Sequence, residues 1–164
     1  MRVGASIEVA APPEAVWAFV SDPSRALHYM AGITRWEVVS EQPRGLGARY
    51  RTLLRVRAAE VGGLVEVVEY SEPRDMAWNS VTGIDQRGRW RLRERPGGRT
   101  KVEFRLSYGV AGAGIFGAIS ERIAAPTVRG HLRRSLQQLK RQVEHEELRE
   151  RAAARRRARA AVSS

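Results

Sequence analysis

Apolar and polar residues alternate along much of the chain with the period of two that is typical of half-buried strands. The first such segment is Val3 to Ala10. Six further predicted strands follow: Ile33 to Ser40, Ala48 to Arg57, Gly63 to Ser71, Met76 to Thr82, Gln86 to Arg95 and Thr100 to Val110. Short clusters containing Gly or Pro separate most of them, and connections this short join only antiparallel neighbours. The pattern predicts a curved, seven-stranded antiparallel sheet.

Helical periodicity is present in two parts of the chain. Pro12 and Pro13 precede apolar residues at helical spacing, which predicts a helix that ends near Asp22, and a second short helix from Ser24 to Met30. Near the C-terminus, a long helix is predicted from one apolar stripe, formed by Val128, Leu132, Leu136, Leu139 and Val143.

A second apolar stripe precedes that helix and is out of phase with it. Its members are Ile115, Phe116, Ile119 and Ile123. Pro126 and Gly130 lie at the discontinuity, and proline breaks or kinks helices. We therefore expect a short helix followed by a long one, with a gate at the break beside the glycine-rich loop from Gly109 to Gly114.

The predicted sheet has one apolar and aromatic face and one basic face. In the strand from Ala48 to Arg57, Tyr50, Thr52 and Leu54 share one parity, and arginines occupy the other. An apolar sheet face has to be covered, and the long helix is the only large apolar element left for it. These elements predict an α+β fold in which the sheet wraps around the helix and encloses a cavity.

Composition narrows the range of functions. The chain has 164 residues and no cysteine, which excludes disulfides, thiolate metal sites and cysteine nucleophiles. With only three histidines, a buried transition-metal site would have to consist mainly of carboxylates, and we expect neither a metal nor a cofactor. No segment suits a membrane span or a secretion signal, so a cytoplasmic location is expected. We interpret residues 1–148 as one domain and residues 149–164 as a basic Arg/Ala tail, either a frayed helix or disordered.

Two stretches resemble a known family. They are HYMAGITRWEVVSEQPRGLGARYR, from His28 to Arg51, and PRDMAWNSVTGIDQRGRWRLRERPGGRTKVEFRLSY, from Pro73 to Tyr108. With the first strand and its Pro-x-x-Val-Trp helix, they are similar to the START-like (SRPBCC) superfamily, in particular its polyketide cyclase/dehydrase branch, over about Val3 to Glu144. The resemblance implies a helix-grip fold with a hydrophobic cavity for lipids, polyketides or related molecules.

The candidate ligand-binding residues follow from the aromatic face, the short second helix and the C-terminal apolar residues. They are Tyr29, Tyr50, Thr52, Trp78, Ser80, Trp90, Phe104, Tyr108, Phe116 and Leu132. The alternative is that the aromatic residues fill a dry core. The catalytic candidates are Tyr50, Ser80 and His131, because proton transfer needs a suitable group within reach of the substrate.

The leading hypothesis is a binding or carrier protein for a hydrophobic or aromatic small molecule. A polyketide aromatase/cyclase that promotes aldol cyclisation and dehydration is the first alternative, and an interaction module that uses the basic sheet face is the second. The net charge of +11 favours anionic partners. Nucleic acid ranks low because no aromatic residue interleaves with the arginines, and an anionic membrane is a minor candidate partner for Arg155, Arg156, Arg157 and Arg159.

Overall fold

The computed structural model describes residues 2–109 and 121–163, with only the backbone described at 121–123. Three helices are present in this part of the chain: α1 (Pro13–Val20), α2 (Ala26–Tyr29) and α3 (Glu121–Val162), with a 3₁₀ turn at Pro23–Arg25 before α2. The strands are β1 (Arg2–Val9), β2 (Ile33–Val38), β3 (Arg49–Val56), β4 (Ala59–Ser71), β5 (Asp75–Gly83), β6 (Gln86–Arg95) and β7 (Arg99–Tyr108).

All seven strands form one antiparallel sheet in the order β1-β7-β6-β5-β4-β3-β2. The strands from β2 to β7 are a meander, and β1 pairs with β7, so β1 and β2 are the two edges. With α3 and the short helices after β1, this is the predicted helix-grip architecture. The prediction of the fold is confirmed.

The short helices begin and end where local chemistry requires it. Pro13 is the first residue of α1, where the missing N–H costs nothing. Ser21 closes the helix by donating its hydroxyl to the carbonyl of Trp17 at 2.7 Å. The Asp22 carboxylate then accepts from the Ser24 amide at 3.0 Å, which caps the 3₁₀ turn.

Helix α3 runs without interruption through Pro126 and Gly130, so the predicted break at these residues is wrong. Proline removes one backbone hydrogen bond, but packing of the apolar stripe holds the helix together across that point. Val128 and Leu139 are 0% exposed and Val143 is 1% exposed. The other predicted stripe, Ile115, Phe116, Ile119 and Ile123, and the loop after Gly109 lie outside the residues whose side chains are described.

The helix continues well past its last buried residue. It is 42 residues long, which corresponds to about 63 Å. From Leu148 to Val162 its side chains are almost all exposed, and Arg155, Arg156, Arg157 and Arg159 are among them. Alanine and arginine are strong helix formers, so this segment needs no packing partner to be helical. No described helix is both long and apolar enough to cross a membrane.

Side chains of α3 bind main-chain atoms of the elements around it. Lys140 donates to the carbonyl of Glu8 at 2.8 Å, and Gln142 donates to the carbonyl of His28 at 2.9 Å. The carboxylate of Glu144 accepts from the amide of Ala10 at 2.8 Å. These bonds fix α3 to both ends of the segment that carries α1 and α2.

The core lies between the sheet and α3, and one glycine permits its central aromatic contact. Gly88 of β6 pairs with Trp78 of β5. A Cβ atom at Gly88 would lie 2.0 Å from Cζ2 of the Trp78 indole, which is 4% exposed. Since no side chain fits between them, Trp78 lies flat over the glycine.

We therefore expect Gly88→Ala to lower the free energy of unfolding by about 1–3 kcal/mol, because the new methyl group displaces the Trp78 indole. Urea denaturation measures the change. The matched control is Gly4→Ala on β1, where a Cβ atom would meet Arg105 at an ordinary 3.5 Å. The control should change stability by less than about 0.5 kcal/mol, and equal effects of the two substitutions would contradict this account.

Candidate ligand-binding site

A continuous row of aromatic rings crosses the inner face of the sheet. Trp90 and Phe104 are stacked at 4.0 Å between ring centroids, and Phe104 lies 6.0 Å from Trp78. Trp78 meets Trp36 edge to face at 5.8 Å. Tyr50 extends the row beyond Trp36, at 5.4 Å, and Tyr29 extends it beyond Trp90, at 6.1 Å. The row links strands β3, β2, β5, β7 and β6 with helix α2.

A cavity of about 30 Å³ lies beside this row, between the β2–β3–β4 edge of the sheet and α3. Apolar and aromatic side chains make up most of its wall, and four polar side chains complete it. The lining residues are Met30, Ala31, Ile33, Trp36, Thr52, Leu54, Val61, Trp78, Gln86, Phe104, Leu106, His131, Leu132 and Ser135. An apolar chamber with a few polar groups is the usual form of a small-molecule site.

Three of these polar side chains are held by protein hydrogen bonds. The Thr52 hydroxyl donates to the carbonyl of Gly63 at 3.4 Å and accepts from the side-chain amide of Gln86 at 3.3 Å. The Ser135 hydroxyl accepts from the amide of Ala31 and donates to the carbonyl of His131, both at 2.8 Å. Such pairing removes the cost of burying these groups.

His131 connects α3 with β3 and is held in one tautomer. Arg134, which has donors only, donates to Nδ1 at 2.8 Å, so Nε2 carries the hydrogen and donates to the carbonyl of Arg55 at 3.0 Å. Desolvation by burial lowers the pKa of His131, the nearby Arg134 charge lowers it further, and the bond to Arg55 opposes both. The imidazole also packs on Gly32, where a Cβ atom would lie 2.7 Å from the ring.

Two buried side-chain polar atoms have no hydrogen-bond partner among the described residues. They are the indole nitrogens of Trp17 and Trp36. Trp36 lines the cavity, whereas Trp17 of α1 does not and instead packs edge to face on Tyr70 at 5.1 Å. A buried N–H without an acceptor is costly, and each instance in a folded protein calls for an explanation.

A second, smaller cavity of about 10 Å³ also has Trp36 in its wall and includes three predicted ligand-binding residues, Tyr29, Tyr50 and Trp90. Burial raises the pKa of Tyr29, which is 1% exposed. Burial also raises the pKa of Tyr50, in this case to about 12. The Tyr50 hydroxyl donates to the carbonyl of Pro43 at 2.9 Å. Both phenols are therefore neutral packing groups near neutral pH.

The structure thus divides the predicted site residues into groups. Thr52, Trp78, Phe104, Leu132 and His131 line the larger cavity. Ser80 and Tyr108 line neither cavity, and Phe116 lies outside the described residues.

Ser80 has a structural role at the β5–β6 turn. Its hydroxyl accepts from the backbone N–H of Gln86 at 3.1 Å and donates to the carboxylate of Asp85 at 3.4 Å. These two bonds engage the hydroxyl at the end of the hairpin rather than at the wall of either cavity.

Sequence reasoning missed Trp36, and a β-bulge explains why. Ile33 and Trp36 are three residues apart, so a regular strand would place them on opposite faces. The register of β2 shifts between Ile33 and Arg35, and both side chains therefore line the same cavity. The one available signal was the tryptophan itself, which stands between the charged residues Arg35 and Glu37.

The outer face of the sheet is basic but largely ion-paired. Arg49 pairs across the strands with Glu66 at 3.2 Å, and Arg93 pairs with Asp75 at 3.1 Å. Glu103 pairs with Arg105 of its own strand at 3.4 Å. In the part of the chain described here, no group of three or more histidine, aspartate or glutamate side chains could hold a metal ion.

Comparison with known proteins agrees with this architecture. The family model described as polyketide cyclase/dehydrase and lipid transport matches residues 1–144. Among proteins of curated function, none is similar enough in sequence to count as a match.

Solved structures share the fold at low sequence identity. TTHA0849 from Thermus thermophilus is 23% identical, with a TM-score of 0.74 over 87% of this chain and 97% of its own. A START superfamily protein from Mycobacterium smegmatis is 18% identical, with a TM-score of 0.68 over 87% and 98% of the two chains. The ZhuI aromatase/cyclase from Streptomyces sp. R1128 is 19% identical, with a TM-score of 0.65 over 88% and 93%.

The environment of His131 predicts a pH dependence. Its folded pKa lies below the ordinary value of 6.5, so at pH values between the two the unfolded chain binds a proton that the folded site excludes. This contribution to stability is fully present above about pH 6.5 and is lost as the pH falls toward the folded pKa. Urea denaturation between about pH 8 and about pH 5.5 should show a smaller loss of stability for His131→Gln than for the unmodified chain.

The control for this measurement is His28→Gln, at a histidine that lines neither cavity. It should lose stability with falling pH as the unmodified chain does. If His131→Gln followed the same curve, the assignment of this effect to His131 would be wrong.

Proposed function

We propose that this chain, which belongs to the polyketide cyclase/dehydrase and lipid transport family, binds a hydrophobic or aromatic small molecule between its sheet and α3. The observation that carries the proposal is the cavity lined by Trp36, Trp78 and Phe104, with only a few polar groups among apolar ones. Such a wall favours apolar ring systems and offers a small number of orienting contacts. We further propose that the protein sequesters or carries this molecule.

Binding has to enlarge the cavity, because about 30 Å³ holds one or two water molecules. The wall at the β2–β3–β4 edge supplies the room. Ile33, Leu54 and Val61 are only partly buried there, so their side chains can move outward at a lower packing cost than the fully buried ones. Thr52, Trp78 and Leu132, each less than 5% exposed, form the fixed part of the wall.

Binding is favoured over cyclisation chemistry because the candidate catalytic groups are already engaged. A general acid or base has to reach the substrate with a free proton or lone pair. His131 is the one catalytic candidate on the larger cavity, and both of its ring nitrogens are bound by Arg55 and Arg134. The Tyr50 and Ser80 hydroxyls bond to protein groups elsewhere.

An aromatase/cyclase activity remains the alternative that the family description suggests. Its test is turnover of a linear polyketide by the purified chain. If the unmodified chain converts the polyketide and the folded His131→Gln variant does not, an enzymatic function is favoured over a carrier function. Absence of conversion together with saturable binding supports the carrier.

The binding proposal predicts saturable, one-to-one uptake of N-phenyl-1-naphthylamine, an uncharged ring compound whose fluorescence rises in apolar surroundings. We expect Val61→Phe to weaken this binding by at least about fivefold, because the larger ring fills the cavity. Fluorescence titration gives the dissociation constants, and thermal unfolding confirms that each variant is folded.

The matched control is Val81→Phe, the same substitution at a residue that is 44% exposed and lines neither cavity. It should bind the dye as the unmodified chain does. Absence of a saturable signal in the unmodified chain, or equal affinities for the two variants, would count against a binding site between sheet and helix.

A further inference from the structure

The indole N–H of Trp36 is a buried donor that nothing in the described fold uses. The nitrogen is inaccessible to solvent and has no acceptor. Its ring is held between Tyr50, at 5.4 Å, and Trp78, at 5.8 Å. Trp36 is partly buried, and its contacts with these two rings would be disrupted if the indole turned its N–H out to water.

Trp36 belongs to the wall of both cavities described above. It lines the chamber of about 30 Å³ and the smaller one of about 10 Å³, so a molecule that enlarges either of them comes against this ring. The residue also lies on β2, an edge strand of the sheet.

The other polar groups of the larger cavity have partners within the protein. Thr52 is bonded to Gly63 and Gln86, Ser135 to Ala31 and His131, and His131 to Arg55 and Arg134. The hydroxyl hydrogens of Thr52 and Ser135 and the Nε2 hydrogen of His131 are already donated, so a ligand oxygen could accept from them only if one of these bonds broke. At Trp36 it gains a hydrogen bond and breaks none.

Charge further restricts the ligand. The described residues that line the larger cavity include no arginine, lysine, aspartate or glutamate. A carboxylate or ammonium group would therefore be buried without a counter-ion, which is strongly unfavourable. An uncharged acceptor oxygen, such as a ketone, satisfies the indole at little cost, and a hydrocarbon leaves it unsatisfied.

We propose that the ligand of this cavity is a neutral ring compound with a carbonyl oxygen, and that the Trp36 indole N–H binds this oxygen. The inference rests on the proposed function, since it assigns the class of molecule that the same cavity takes. The aromatic row supplies the contact area for the rings, and Trp36 supplies the single polar contact that fixes their orientation.

The test uses two probes that differ only in the carbonyl group, 1-tetralone and tetralin. Each probe is titrated against the dye N-phenyl-1-naphthylamine bound to the unmodified chain and to Trp36→Phe. This variant keeps an aromatic ring but lacks the N–H. We expect Trp36→Phe to weaken tetralone binding relative to tetralin binding by about fivefold, the worth of one hydrogen bond. The tetralin titration corrects for the change in ring size.

Trp17→Phe is the matched control, because Trp17 has the other buried indole N–H without an acceptor but lines neither cavity. The ratio of tetralone to tetralin affinities should be the same in this variant as in the unmodified chain. A Trp36→Phe ratio equal to the unmodified one overturns the proposal, and so does a change of equal size in Trp17→Phe.

A second measurement does not depend on how the variant folds. The infrared carbonyl band of tetralone bound to the unmodified chain should lie at lower frequency than in a hydrocarbon solvent, because a hydrogen bond weakens the carbonyl. An unshifted band overturns the assignment. If the dye binds and neither probe displaces it, the proposed ligand class is wrong but the proposed binding function is not. If the dye does not bind either, the proposed function itself is wrong.

Discussion

The apolar stripe of α3, from Val128 to Val143, is the surface that closes the inner face of the sheet. Its five large side chains are each at most 3% exposed. Burying them contributes about 10 kcal/mol, which is comparable with the whole net stability of an ordinary domain. The position of the helix therefore fixes how far the sheet can curl, where β1 lies, and where α1 and α2 fit between them. The cavity occupies the end of this interface where the stripe meets β2 and β3.

The chemistry of that end depends on which polar groups the fold has already satisfied. Thr52, Ser135 and His131 border the cavity, but their bonds hold strands and helices together. Trp36 contributes aromatic surface and one donor that no described residue uses. The same polar composition could describe a catalytic site or a binding site, and the distribution of hydrogen bonds favours binding here. Whether each polar group already has a protein partner distinguishes a binding site from a catalytic site better than the residue types alone.

Regular alternation made the sheet and most of its inner face predictable. In β3, β6 and β7, parity alone placed Thr52, Trp90 and Phe104 on the side that faces α3. Parity failed at β2, where the bulge brings Ile33 and Trp36 to the same wall. A bulge arises from pairing with a neighbouring strand, so a single strand's sequence carries little trace of it. Likewise, tertiary packing overrides the local preference of Pro126 for a helix end.

The anchoring of α3 has a consequence for how such a protein diverges. Lys140, Gln142, His131, Ser135 and Glu144 all bond to main-chain atoms. Every residue type has a main-chain carbonyl, and every type except proline has an amide N–H. These bonds therefore persist when the residues opposite the helix are exchanged for others, apart from proline at Ala10 and Ala31, but not when the helix residues are exchanged. Substitutions on the two sides of this interface therefore need not occur in compensating pairs. A search for correlated substitutions among distant relatives would miss many of these contacts, even where the geometry of the interface is retained.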